Sequence, residues 1–346
     1  MSVKINLGVR VYDHVNGRIV ENLPLDVFKY NIMITGSDQQ ERNALLSHIL
    51  NQFYKRVPEL GVLYIKLRSS EDSYLYHFDK VIEHHDPELI VPYFTGETFT
   101  DVSREEFVDC INALFGFHFE MKIVLQIICR HYRSRGLPGS IVDFLEDMKK
   151  FLIENPYSKE FTESNVRSIE KAIEIFEEDP ILERIVSIPL AVPEWLQSWC
   201  NGNKICIDLS ECSIEDQKLL VTFITQAINQ YVEMNNTSDP KGIVVIDDID
   251  KVMEKPPHEK YRENFRNNKE YYRRIEQECY CLTREQIEEI FGDKNYLRNV
   301  QLEEVYYDLV HFGFRLRNIS LISVCEYPSR VYDCINSHSQ IMLDIT

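Results

Sequence analysis

The chain has 346 residues, more than a single domain usually contains, so we expect one large α/β core with a sizeable insertion, or two domains. Its 38 basic residues against 56 acidic ones give a net charge of -18, which argues against a protein that wraps nucleic acid over its whole surface. A hydrophobic content of 44% excludes a disordered tail.

The sequence carries no signal for a membrane or for secretion. No apolar run is long enough to cross a bilayer, and the N-terminus MSVKINLGVR lacks an apolar segment followed by a cleavage site. The nine cysteines include no C-x-x-C pair, so we expect reduced, mostly structural thiols. These features predict a cytoplasmic protein with no membrane contact.

Residues 1–102 have the pattern of the first part of an α/β core. An alternating strand over 3–12 precedes a turn and a short strand, and NIMIT at 31–35 reads as a buried strand. From Asn43 onward apolar residues recur at helical spacing, and GVLYIKL at 61–67 is the next strand. A strand, helix and strand in this order favour a parallel sheet.

Residues 103–200 are predicted to form an inserted helical subdomain. The segment SREEFVDCINALFGF has the start of a capping box, with Ser103 followed three residues later by Glu106. The segments EMKIVLQIICRHY and SIVDFLEDMKKFL continue the helical pattern.

Residues 201–346 return to the α/β pattern. The strand KICIDL is followed by the helix SIEDQKLLVTFITQAINQYV and by the apolar strand GIVVIDDID, which ends in carboxylates. The strands NISLISV and SQIMLDI come last, after the helix VQLEEVYYDLVHFGFRLR.

A charged insertion at 251–300 interrupts this last part. Its first half, 251–275, has eight Lys and Arg against four Glu, with interleaved aromatic residues. Such a run can follow a nucleic-acid backbone and stack bases, or it can be a solvated helix whose aromatic residues pack inward. Both interpretations stay open.

Three features occur in an order that P-loop nucleotide-binding proteins share. A strand, loop and helix come first, a strand ending in acids comes later, and a strand ending in a polar residue comes last. The carboxyl ends of parallel strands meet at one crevice, so these residues are expected to converge.

The chain resembles the HerA/FtsK group of ring-forming ATPases along nearly its whole length. The segments that carry the likeness are INLGVRVYDHVNGRIVENLPLDVF, SREEFVDCINALFG, WCNGNKICIDLSECSIEDQKLLVTFITQAI and FRLRNISLISVCEYPSRVYDCINSHSQIMLDI. The resemblance implies an α/β fold: a RecA-like P-loop core with a central, mostly parallel sheet and an inserted all-helical subdomain.

The phosphate-binding loop departs from the family pattern GxxGxGK[ST]. Only the first glycine is kept, and Glu41 brings an anion to the place where phosphate would bind. Arg42 stands at the lysine position and Asn43 at that of the hydroxyl that helps to hold Mg²⁺. The aligned residues, which the resemblance makes the nucleotide-binding positions, are Gly36, Ser37, Asp38, Gln39, Gln40, Glu41, Arg42 and Asn43.

The resemblance also implies four further site positions. Asp247 falls at the Mg²⁺ position, and Asp248 falls where the family usually has a catalytic glutamate, although a solvated strand end would have the same sequence. Glu326 replaces a glutamine that senses the γ-phosphate, and ionised glutamate can only accept hydrogen bonds. Arg315 is either an arginine that reaches a neighbouring subunit's nucleotide or a basic residue near a helix C-terminus.

These departures predict a catalytically degenerate HerA/FtsK-like subunit that serves as an assembly or partner component of a DNA-processing, translocation or defence complex. We expect no bound cofactor, and ATP with Mg²⁺ only if the altered loop still binds nucleotide. The predicted partners are other copies or an active homologue, in an oligomer such as a hexameric ring, and DNA. The alternatives are an active ATP-dependent DNA translocase with a divergent loop, and a protein-binding scaffold without DNA contact.

Overall fold

The computed structural model describes most of the chain. The charged insertion beyond residue 253, Arg315, and the helix expected over 300–317 apart from residue 305 lie outside the described residues. The described residues are 4–24, 31–69, 77–94, 101–115, 117, 121–132, 138–156, 159–187, 192–234, 242–253, 305, 319–331, 335 and 339–345.

The strands follow the alternating and apolar segments of the sequence. In chain order they are β1 (Lys4–Asp13), β2 (Arg18–Pro24), β3 (Ile32–Thr35), β4 (Gly61–Lys66), β5 (Lys80–Glu83), β6 (Val91–Phe94), β7 (Ile185–Ser187), β8 (Lys204–Asp208), β9 (Gly242–Ile246), β10 (Ile319–Cys325) and β11 (Ile341–Asp344).

The helices occupy the segments with helical apolar spacing. In chain order they are α1 (Gln39–Arg56), α2 (Asp101–Phe115), α3 (Met121–His131), α4 (Ile141–Glu154), α5 (Lys159–Glu178), α6 (Glu194–Cys200) and α7 (Ile214–Met234). None of the helices in the described segments is both long and apolar enough to span a bilayer.

One large sheet contains nine of these strands, in the order β2-β1-β11-β3-β10-β9-β4-β8-β5. Every pairing from β11 to β5 is parallel, whereas β1 is antiparallel to both of its neighbours. Parallel strands need crossover connections, and here these contain helices that cover the sheet. The predicted α/β architecture with a mostly parallel central sheet is therefore confirmed.

Both faces of the sheet are buried. Ile32 and Ile34 of β3 pack with α1 and the β1–β2 hairpin, whereas Met33 packs on the opposite face with α6, α7 and the helical block. Neighbouring residues of a strand point to opposite faces, so a strand that is apolar at every position fits only between two covering layers. This explains why β9 is apolar throughout and why β3 is apolar up to Thr35.

Trp199 of α6 packs across the start of the central strands. A Cβ atom on Gly61 would lie 1.8 Å from the Trp199 carbonyl oxygen, and one on Gly242 would lie 2.7 Å from Trp199 Nε1. Both strands therefore begin with a residue that has no side chain. The α6 helix thus packs on β4 and β8 of the large sheet.

The segment between β6 and α6 holds the helices α2 to α5. The α2 helix begins at Asp101, so Ser103 lies inside the helix and the capping box predicted at Ser103 was wrong. Ser140 caps α4 by accepting from the Asp143 backbone N–H at 3.0 Å. The short strand β7, which pairs with β6, was not predicted because three residues are too few for an alternating pattern. The boundaries at 102 and 200 stay a prediction.

Candidate functional site

The carboxyl ends of three strands bring the candidate residues together. The loop after β3 holds residues 36–38, Asp247 and Asp248 follow β9, and Glu326 follows β10. Because β10 lies between β3 and β9, the three strand ends are neighbours at one edge of the sheet. This convergence is what the order of the motifs predicted.

The loop after β3 is short. The strand ends at Thr35 and α1 begins at Gln39, earlier than the apolar spacing from Asn43 indicated. Gly36 has a φ of +154°, and a Cβ atom there would lie 2.7 Å from the Ile345 carbonyl oxygen, so the position needs glycine. Residues 39–43, aligned with the second half of the phosphate-binding loop, therefore form the first turn of a helix.

A carboxylate of the chain occupies the N-terminus of α1. Asp38 Oδ1 accepts from the backbone N–H of Gln40 at 2.8 Å and of Glu41 at 3.2 Å. A helix N-terminus has free N–H groups and a partial positive charge, which make it a binding place for phosphate. Here an N-cap side chain already satisfies two of these donors.

The Arg42 side chain is buried beneath this turn, with 1% of its surface exposed. Its guanidinium donates to the Gly36 carbonyl oxygen, and Nη2 lies 3.5 Å from Asp248 Oδ1. Arg42 Nε and Asp248 Oδ2 are buried and have no hydrogen-bond partner among the residues that the structure describes. The guanidinium therefore contacts both the loop and the acidic strand end.

Several other loop residues have side chains that lie away from Arg42 and Asp248. Ser37, Gln40 and Glu41 are exposed, while Asn43 is buried in α1. Glu41 lines an outer groove of about 750 Å³ beside the β1–β2 hairpin. The side chain of Glu41 is exposed, whereas that of Arg42 is buried, and the effect of the Glu41 charge on phosphate stays a prediction.

Asp247 is buried at the end of β9, with 3% of its surface exposed. Tyr64 of β4 donates its hydroxyl hydrogen to Asp247 Oδ2 at 2.8 Å. Burial, and then the charge of Asp248, raise the pKa of Asp247 to about 6, and the Tyr64 hydrogen bond and Arg42 oppose this rise. The carboxylate at the expected metal position is thus already engaged with groups of the chain.

Asp248 lies in the left-handed region, with φ 50° and ψ 45°. Within the described residues, three cations lie near its carboxylate: Arg42 at 3.5 Å, Arg68 at 3.7 Å and Lys251 at 3.9 Å. The side chain is 4% exposed, so it meets little solvent. A general base must reach the water that it activates, so a catalytic role for Asp248 stays a prediction.

Solved structures resemble this chain in fold, although their sequences are only 10% to 11% identical to it. VirB4 of Thermoanaerobacter pseudethanolicus superposes with a TM-score of 0.52 at 11% identity, over 95% of this chain and 77% of VirB4. The bacterial conjugative coupling protein TrwB gives 0.51 at 11% identity, over 93% and 71%. TrwB with a non-hydrolysable ATP analogue gives 0.50 at 10% identity, over 92% and 69%.

The chain has the RecA-like fold of P-loop ATPases. No protein-family model and no curated protein matches the sequence. At 10% and 11% identity the likeness concerns the fold alone.

Glu326 directly follows the last residue of β10 and is partly exposed. Its carboxylate accepts a hydrogen bond from the Tyr327 hydroxyl, which raises the pKa of the tyrosine. The backbone N–H groups of Glu326 and Tyr327 donate to the carboxylate of Asp250, whose pKa is raised by burial and by Asp248. Asp250 therefore connects the ends of β9 and β10.

Sequence reasoning missed four residues of this candidate site. Tyr64, Arg68, Asp250 and Lys251 contact the predicted acids. Tyr64 lies within β4, whereas the other three follow the end of β4 or β9. A position after a strand end was a usable signal for those three, but partners across the sheet were not readable from one sequence. No cluster of three metal-binding side chains occurs within the described segments.

Proposed function

We propose that this chain is a catalytically inactive subunit with a RecA-like fold that acts as an assembly or partner component of a DNA-processing, translocation or defence complex. The arrangement of Asp38 and Arg42 carries the proposal. Asp38 satisfies the helix N–H groups that a phosphate would use, and Arg42 fills the space beneath them. ATP binding would have to displace both.

The kind of complex is inferred from the structural neighbours. TrwB is described as a conjugative coupling protein of plasmids, and one of its structures holds a non-hydrolysable ATP analogue. The shared RecA-like fold supports a role for this chain among DNA-transport components, within a ring of like subunits. The altered loop supports a role without hydrolysis. Arg315 as a residue that assists a neighbouring active subunit stays a prediction.

Calorimetric titration with ATP, with and without Mg²⁺, tests the proposal directly. We expect no binding in the micromolar range and no phosphate release, because several charge-stabilising donors are missing and each such loss costs about 2.7–4 kcal/mol in an active site. Micromolar binding together with turnover would refute it.

The matched comparison is a variant with the family loop pattern, Q39G/E41G/R42K/N43T. This variant regains the flexible glycines, the compact ammonium and the hydroxyl, so it should bind ATP more tightly than the natural chain. Equal affinities would mean that the loop sequence does not decide nucleotide binding here.

A further inference from the structure

Arg42 connects two strands that are not neighbours. Its guanidinium donates to the Gly36 carbonyl oxygen after β3 and lies 3.5 Å from Asp248 Oδ1 after β9. The strand β10 separates β3 from β9, so the contact bridges two strand spacings, about 10 Å in all. One buried side chain thus joins the two sides of the candidate site.

Three carboxylates lie close together at the acidic strand end. Asp247, Asp248 and Asp250 follow β9 within one short turn, and Asp247 and Asp248 are each only 3% exposed. In P-loop NTPases an acid at this strand end helps to hold Mg²⁺ beside the phosphates. In this chain, the described cation nearest to Asp248 is the guanidinium of Arg42, a side chain of α1.

Arg68 and Lys251, the other described cations near Asp248, are far more exposed to solvent than Arg42. Arg68 is 43% exposed and Lys251 is 34% exposed, and both lie farther from the carboxylate than Arg42, which is 1% exposed. Exposed charges are screened by solvent, whereas a buried charge that loses its partner is left uncompensated.

We propose that Arg42 is a built-in cation that holds the loop after β3 against the end of β9, so that this edge of the sheet is closed without nucleotide or metal. The inference rests on the proposed function, since it assigns to Arg42 the space that nucleotide would need. Its consequence is that the surface formed by these strand ends has one conformation whether or not ATP is present.

Hydrogen exchange on the full chain tests the proposal with the variants Arg42→Met and Arg42→Gln. The reporters are the Arg42 N–H, bonded to the Asp38 carbonyl oxygen, and the Lys251 N–H, bonded to that of Asp248. We expect both to exchange about tenfold faster in Arg42→Met, with the amides of α7 unchanged. Arg42→Gln keeps a donor for the Gly36 carbonyl oxygen but has no charge. In this variant, exchange should accelerate mainly at the Lys251 N–H.

The matched control is Lys66→Met. Lys66 forms a 2.7 Å ion pair with Asp208, also at the carboxyl ends of strands, but β4 and β8 are adjacent. Its loss should leave exchange at Arg42 and Lys251 as in the natural chain. Unchanged exchange at Lys251 in both Arg42 variants, or equal acceleration in the Lys66 control, would overturn the proposal.

A double-mutant cycle with Asp248→Asn supplies an independent readout. Removing both charges avoids an unpaired buried ion, so Arg42→Met/Asp248→Asn should lose fewer degrees of melting temperature than the two single variants together. If the melting-temperature losses of the two single variants simply add in the double variant, Arg42 and Asp248 do not interact and the proposal is contradicted. Protection of residues 36–43 by ATP in the natural chain would instead refute the proposed function, while the variants would still decide the role of Arg42.

Discussion

Asp38 and Arg42 carry opposite charges and lie four residues apart at the start of α1. The carboxylate of Asp38 accepts from two helix N–H groups, and the guanidinium of Arg42 reaches the Gly36 carbonyl oxygen and Asp248. In the proposed function, each takes a contact that nucleotide or metal uses in an active P-loop protein. The residue types were visible in the sequence, but which of Glu41 and Arg42 faces inward depended on where the helix begins.

Asp247 gives a pH-dependent prediction at the residue scale. Its pKa is about 6 in the folded chain and about 3.9 when unfolded, so the folded state holds the proton more tightly. Stability is therefore greatest below pH 4 as far as this group is concerned, and falls as the pH rises through 6. Urea unfolding of the Asp247→Asn variant should show a stability that depends less on pH between 4 and 7, by about 1–3 kcal/mol.

The control for Asp247 is Glu174→Gln, which removes one exposed carboxylate of α5, outside the candidate site. If Asp247→Asn follows the same pH curve as the natural chain, the carboxyl of Asp247 does not take up a proton on folding.

At the scale of single elements, α1 was predicted as a helix, but its first residue was not readable from the sequence. Apolar spacing located its middle, through Leu45, Leu46 and Ile49, and these residues are buried as predicted. The spacing did not locate its first residue, because the polar run from Gln39 to Asn43 has no apolar period. The first residue of α1 is fixed by the Asp38 cap and by the contact of Arg42 with the Gly36 carbonyl oxygen. Both contacts form only in the folded chain.

The cap of α1 gives a prediction at this scale. Asp38→Ala removes the acceptor for the Gln40 and Glu41 N–H groups and should lower the free energy of unfolding by about 1 kcal/mol. Urea unfolding measures the loss. Asp38→Ser, which keeps an acceptor, should recover most of it.

The helix α4 offers the control for this cap. Ser140 accepts from the Asp143 N–H at 3.0 Å, so Ser140→Ala should cost a similar amount at a site far from the candidate residues. Added sulfate should stabilise Asp38→Ala more than Ser140→Ala, because only the first vacates the helix end beside Arg42. No loss in Asp38→Ala would mean that solvent serves the helix end equally well.

For the whole molecule, the net charge of -18 limits where DNA can bind. A chain this acidic repels DNA over most of its surface, so binding has to use a local basic region such as the one within 251–275. The proposed role in a DNA-processing complex allows either a direct contact or one made by partners.

Binding to short duplex DNA across a salt series separates these cases. Direct binding should weaken steeply with salt, since each phosphate contact contributes a slope of roughly -0.9 in log K against log salt. The control replaces Lys269, Arg273 and Arg274 with glutamine, which should reduce the slope by about 3. No binding at low salt would favour a scaffold that meets only proteins.

The sequence alone determined the α/β class, most strands and helices, and the set of altered loop residues, because apolar periodicity reflects which faces are buried. Tertiary structure decided the sheet order, the separation of β3 and β9 by β10, and the pairing of Arg42 with Asp248. It also brought Tyr64 and Arg68 to the acids. Such contacts join residues far apart in the chain, and a local pattern holds no information about a partner that only folding brings near.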